Sequence, residues 1–228
     1  MANLALTQTR MPVRGVVFPT PRPAPVGVFL GVVGLVFAAL FMGGLNVVAA
    51  GRMNPLDTTM SDYVFVEHVG WMFPASLLAM CFAGAGVAFG LSTHGLLRGV
   101  LPKLALGLAL LGLVLAAVFP TDFGDASVSM SAQVHRYAAG VVFFCVPITA
   151  FLMARRTRQT SLYVGVVVTS VLLVLFLTCH LGPMPAAVGE LSGLIQRVLF
   201  VAELVVLAQL VRLVHRRSNG QGAHALAA

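Results

Sequence analysis

Charge is what this sequence has least of. Only seven Asp and Glu and fourteen Lys and Arg occur among 228 residues, 9% of the chain, where a soluble domain carries roughly 25%. With 59% apolar residues beside it, that scarcity excludes a soluble globular protein and leaves an integral membrane protein. Cysteine is sparse too. Cys81, Cys145 and Cys179 each fall inside an apolar run with no CxxC pair, so they read as small core residues and not as a disulfide framework. There is no HExxH and no GxSxG, which removes the usual zinc-protease helix and nucleophile elbow. No histidine lies in the middle of an apolar run, and a haem held between two helices needs facing histidines at that depth. The net charge of +7 would ordinarily raise nucleic acid as a partner. Here the basic residues flank apolar runs, so membrane lipids with anionic headgroups are the expected counter-charge and no nucleic acid is expected.

What is present is a set of six apolar runs, near 26–50, 71–92, 100–119, 135–153, 162–181 and 193–213. Each approaches the roughly 20 residues that span hydrocarbon, and the first is too long for a signal-peptide core. The reading is an all-α membrane protein, a bundle of six transmembrane helices over 26–214. A basic, proline-rich arm (1–25) and a short disordered tail (215–228) flank it. Six crossings put both termini on one side, and Lys and Arg choose the side. With the termini cytoplasmic, 11 of the 14 basic residues lie inside, leaving Arg52, Arg136 and Arg197 outside. Six of the seven acids (Asp57, Asp62, Glu67, Asp122, Asp125 and Glu190) fall outside as well. The expected location is the inner, cytoplasmic membrane.

Small residues on the runs predict close helix packing, since lipid offers no hydrophobic drive and backbones must approach. Gly86 and Gly90 form a GxxxG, with Gly31, Gly34, Gly107, Gly112, Gly140 and Gly165 as further approach points. Pro74 and Pro147 are expected to kink their helices. Pro55, Pro120 and Pro183 each open an outer loop 63 to 65 residues after the last. The first two loops share Pro-x-Asp and reach His68 and His135, a weak hint of repeated hairpins.

The chemistry-bearing residues gather on the outer side. His135 and Arg136 open the fourth run, His180 closes the fifth, and Gln196 and Arg197 begin the sixth, with Asp122 in the intervening loop. Ser129 and Ser131 read as helix caps. Ionisable groups just inside helix ends usually face the bundle interior and find partners. A shared pocket of Asp122, His135, Arg136, His180, Gln196 and Arg197 would suit an anionic lipid headgroup or small polar ligand, with arginine supplying forked hydrogen bonds. Two other readings stay open. As a metal-dependent membrane hydrolase, the chain would draw three or four ligands from His68, His135, His180 and Asp122, the open catalytic pattern of three protein ligands plus water, although no paired ligand spacing supports it. Glu203, near mid-span on the sixth run and seven residues below Gln196, would serve a proton-coupled carrier. An isolated charge there costs on the order of 3 kcal/mol or more, so Glu203 is expected to face inward and, unless a basic partner reaches it, to be protonated and bonded to a neighbour such as Asn46, Thr169 or Ser170, or to a backbone carbonyl freed by Pro147. The sequence does not identify a cofactor.

The stretch Asn54-Pro55-Leu56-Asp57-Thr58-Thr59-Met60-Ser61-Asp62-Tyr63, followed by Gly70-Trp71-Met72-Phe73-Pro74-Ala75-Ser76, resembles the start of the bacterial domain of unknown function 998 family. So do Phe119-Pro120-Thr121-Asp122 ahead of His135, and Gly193-Leu194-Ile195-Gln196-Arg197. The resemblance covers about residues 26–214. It implies a six-helix fold and carries no activity and no catalytic residue.

Overall fold

The computed structural model describes residues 24–122, 128–181 and 190–226. It is all-helical, with no strand among the described residues: α1 (Ala24–Val48), a 3-10 helix (Met60–Phe65), α2 (Met72–Thr93), α3 (Val100–Val118), α4 (Met130–Thr157), α5 (Thr160–Leu181) and α6 (Ser192–Leu226). Each of the six α-helices is long and apolar enough to cross a membrane. The protein is therefore a multi-pass membrane protein, and its outward faces, such as Phe29, Val100 and Val174, present apolar side chains to lipid.

The helices run up and down, and α1 packs on both α2 and α6, so the bundle closes on itself. One end carries Asp57, Asp62, Glu67, Asp122 and Glu190, and is called the acidic end. The other carries Arg98, Arg155, Arg156, Arg158, Arg216 and Arg217, and is called the basic end. Glycine permits the tightest approach, between α1 and α2. A Cβ on Gly86 would lie 2.6 Å from the Gly31 nitrogen, and one on Gly34 would lie 2.6 Å from the Ala79 carbonyl. Gly112 plays the same part between α3 and α4, against Ala138 O. Gly107 and Gly140, expected to do likewise, face open space.

Two helix boundaries differ from the sequence reading, the start of α4 and the end of α6. α4 starts at Met130, behind its N-cap Ser129, whose Oγ accepts from Ala132 N at 3.1 Å. Hydropathy alone placed the start five residues later. Pro74 sits in the first turn of α2, where its missing N–H has no helical acceptor to lose, and requires no kink there. Pro147 is carried within a continuous α4. α6 runs on to Leu226 through Arg212, Arg216 and Arg217, so the tail expected to be disordered beyond residue 214 is helical as far as it is described. Of the expected arm, 1–25, residues 1–23 lie outside the described residues, as do Asp125 and Pro183, while Ala24 and Pro25 open α1.

Candidate functional site

The connection between α1 and α2 is a folded strap. Thr59 opens its 3-10 helix with a Thr-x-x-Asp box: Thr59 N donates to Asp62 Oδ2 at 3.0 Å and Thr59 Oγ1 donates to the same oxygen at 2.7 Å. The strap lies across the first turn of α6. Leu194 N donates to Leu56 O (3.0 Å), Ser192 Oγ to Asp57 O (3.3 Å), and Met60 N to Gln196 Oε1 (2.7 Å). Gly193 is required there, because a Cβ would strike Thr58 O.

Arg197 locks this arrangement. Its Nε donates to Asn46 Oδ1 and its Nη1 to the carbonyls of Thr58 and Gly193, all at 2.8 Å. Its guanidinium stands 5.0 Å from the centre of the Tyr63 ring. Three elements of the chain thus converge on one cation, leaving only Nη2 without a partner among the described residues. The forked donor expected to bind a ligand is committed to holding α1, the strap and α6 together.

At the neighbouring corner, Asp122 accepts from Ser129 N (2.6 Å) and Ser129 Oγ (2.7 Å), while Ser131 Oγ donates to Pro120 O (2.8 Å). Those two bonds from Ser129, with a smaller contribution from the charge of Arg136, hold the Asp122 carboxyl below the usual carboxylate range. Asp122 is thus an anchor for the start of α4, and Arg136 is exposed beside it. His135 turns the other way. It is buried, with Nδ1 2.9 Å from both Ala116 O and Phe119 O, carbonyls at the end of α3 that its helix leaves unbonded. Both partners are acceptors, so Nδ1 carries the proton and Nε2 keeps its lone pair. The ring rests against Phe73, 5.9 Å between centres.

A cavity of about 50 Å³ occupies the acidic-end half of the bundle. Its polar lining consists of Ser61 on the strap, His135 on α4, and Gln196 and Glu203 on α6. Met42, Met60, Phe73, Met80 and Phe200 are among the apolar walls. Glu203 lies eleven residues, or ~16 Å, beyond Ser192 at 1.5 Å per residue. It is 1% exposed, and neither carboxyl oxygen has a hydrogen-bond partner among the described residues. The inward orientation is as expected; the bonded neighbour is not found. Asn46 is taken by Arg197 and by Met42 O, and Thr169 Oγ1 donates to its own helix at Gly165 O (2.9 Å). Ser170 lines a groove between α4 and α5.

The expected six-residue pocket is therefore divided. His135 and Gln196 share the cavity with Glu203. Arg197 clamps the strap, Asp122 caps a helix, Arg136 is exposed, and the side chain of His180 lies outside the described residues. For the metal-site reading, His68 is exposed in the strap at φ +66°. No group of three His, Cys, Asp or Glu that could hold a metal occurs among the described residues. His68 and His135 also occupy unlike settings, an exposed turn and a buried helix, which weakens the repeat.

Sequence reasoning missed the strap, although Thr59 and Asp62 signal it, and it missed Ser61 in the cavity wall. A family model described as "Protein of unknown function (DUF998)" matches residues 26–213. No curated protein and no solved structure matches the chain.

Proposed function

The chain belongs to the DUF998 family, and on that premise we propose that it is a binding protein of the cytoplasmic membrane. It would hold a small polar ligand between Glu203, His135 and Gln196. One observation carries the reading: a fully buried carboxyl with two unpartnered oxygens faces an unfilled cavity. Burying a polar group without a partner costs roughly 2–7 kcal/mol, a cost that a ligand or water in the cavity offsets. The size suits a small guest. At roughly 10–15 Å³ for each water, about 50 Å³ takes a few waters or a bare ion and is too small for a lipid headgroup. The headgroup reading also needed Arg136 and Arg197 together, and Arg197 is occupied.

The acidic end faces outward in this proposal and both termini face the cytoplasm, on the 11-to-3 division of basic residues. The guest then comes from outside, past a strap that supplies Met60 and Ser61 to the cavity wall. A proton-coupled carrier is the second reading, favoured by the same carboxyl, and flux into proteoliposomes separates it from a binder.

Glu203→Leu is the test. No described neighbour depends on Glu203, so the variant should be more stable by about 1–3 kcal/mol without a guest. In native mass spectra of detergent-extracted protein, a small bound species should appear on the wild type and vanish in the variant. Identical spectra together with an unchanged melting temperature would remove the cavity as a binding site.

A further inference from the structure

The polar groups do not exhaust the chemistry of this cavity. Three of its walls are thioethers: Met42 from α1, Met60 from the strap and Met80 from α2, exposed by 4%, 3% and 1%. They come from three separate elements, and each lines the same cavity. Methionine often serves as a gap filler in cores, but a gap filler closes its gap, and here about 50 Å³ is left.

The fourth donor is His135. The residue lines the same cavity, and its Nδ1–H is held by Ala116 O and Phe119 O at 2.9 Å. Metal-bound imidazoles are prepared in this way, with one nitrogen donating to a carbonyl so that the other presents its lone pair in a fixed direction. Thioether with imidazole is a soft donor set, suited to Cu(I). A hard cation would want six or more oxygens. The cavity offers Glu203, Ser61 and Gln196, and Gln196 Oε1 already accepts from Met60 N.

Glu203 completes the arrangement. A bare monovalent cation in a low-dielectric interior needs one compensating negative charge, and a carboxylate with no partner among the described residues supplies it. Resting on the reading of the cavity as a ligand site, we propose that the guest is a monovalent soft cation, Cu(I). The sulfurs of Met42, Met60 and Met80 and Nε2 of His135 bind it, with Glu203 balancing its charge. Met60 belongs to the strap, so binding ties the strap to the bundle.

The test uses full-length protein in detergent with Cys81, Cys145 and Cys179 replaced by alanine, so that no thiol competes. Ag(I), a redox-inert stand-in, and Cu(I) buffered with bicinchoninate are titrated in turn. One ion per chain is expected, undisturbed by Na⁺ or Zn²⁺. The triple variant Met42→Leu/Met60→Leu/Met80→Leu keeps side-chain volume and should lose the ion. Met60→Leu alone, on the strap and outside the helices, should weaken binding roughly 10–100-fold and covers the case in which the triple variant fails to fold. Wild-type affinity in Met60→Leu, or no ion bound by the parent protein, overturns the proposal. If no ion binds while the native mass spectra still show a species lost in Glu203→Leu, the metal falls and the cavity stands.

Discussion

The two ends of this bundle solve the same problem differently. At the basic end the connections are short, 94–99 and 158–159, and their polar groups are satisfied on the spot. Arg156 donates to Leu96 O and Arg98 O, Arg158 ends α4 in the left-handed region, and His94 Nε2 meets Ser218 Oγ at 3.1 Å. The unpartnered His94 Nδ1 there belongs to a ring already anchored through its other nitrogen. At the acidic end the α1–α2 connection runs over 49–71, folds back on α6, and covers a cavity in which a carboxyl has no partner among the described residues. An orphan lone pair on an imidazole is a small cost, whereas a carboxyl with both oxygens orphaned inside a membrane bundle is a large one. The difference separates an end built to close the fold from an end that keeps a space open.

The comparison breaks most completely if the ends are assigned to the wrong sides. In a background lacking the native cysteines, single cysteines at Thr58 and Thr157 report the acidic and basic ends. On intact cells an impermeant thiol reagent should label the first and spare the second. Labelling at Thr157 alone would invert the orientation and turn the cavity toward the cytoplasm.

Releasing the strap gives the next largest effect. Arg197→Ala removes the donor to Asn46, Thr58 O and Gly193 O at once. Hydrogen bonds to a charged group are worth about 1.5–3 kcal/mol each, and water reaches part of the vacated site, so a loss of about 3 kcal/mol is expected. Proteolysis between Asn54 and Phe65 should accelerate, while the 94–99 connection stays as resistant as before. Equal loosening at both ends would show that Arg197 supports the bundle generally and not the strap. Arg197→Lys should rescue little, since an ammonium cannot reproduce the fork.

Much of the fold was legible because membrane spans announce themselves by length and apolarity, and none of the six was missed. The site was legible only in part, and the reason differs by residue. Glu203 stood out because an acid in mid-span has no solvent to explain it. His135 and Gln196 could be set at one depth from helix geometry. Arg197 was placed at the right end, but the bonds it makes to Asn46 Oδ1, Thr58 O and Gly193 O were not foreseen, because no local pattern encodes the path of the strap. Asp122 was drawn toward His135 by proximity in sequence, yet Ser129 seven residues on satisfies it first. The methionines gave no signal, since thioethers count as apolar core until three are seen around one space.

The smallest effect sharpens the contrast between two acids, Asp122 at the rim and Glu203 within. Asp122 is solvated, and its carboxylate is favoured by the bonds from Ser129 N and Oγ. Its folded pKa is therefore depressed below its ordinary value of 3.8. A depressed carboxyl adds stability that is fully present above the unfolded pKa and is lost as pH falls through the folded value. Across neutral pH the pair should thus show no pH dependence, with its contribution fading only below about pH 4. Ser129→Ala removes the hydroxyl that donates to Asp122 and also the cap oxygen that accepts from Ala132 N, a cap worth about 1 kcal/mol. The variant should lose that much at pH 7, and Asp122 should titrate closer to 3.8, read from its side-chain carboxyl by NMR in detergent. An unchanged Asp122 titration would mean that Ser129 N alone sets it. Chemistry in the cavity should be indifferent to either result, because Asp122 fixes where α4 begins and His135 takes its own bearings from α3.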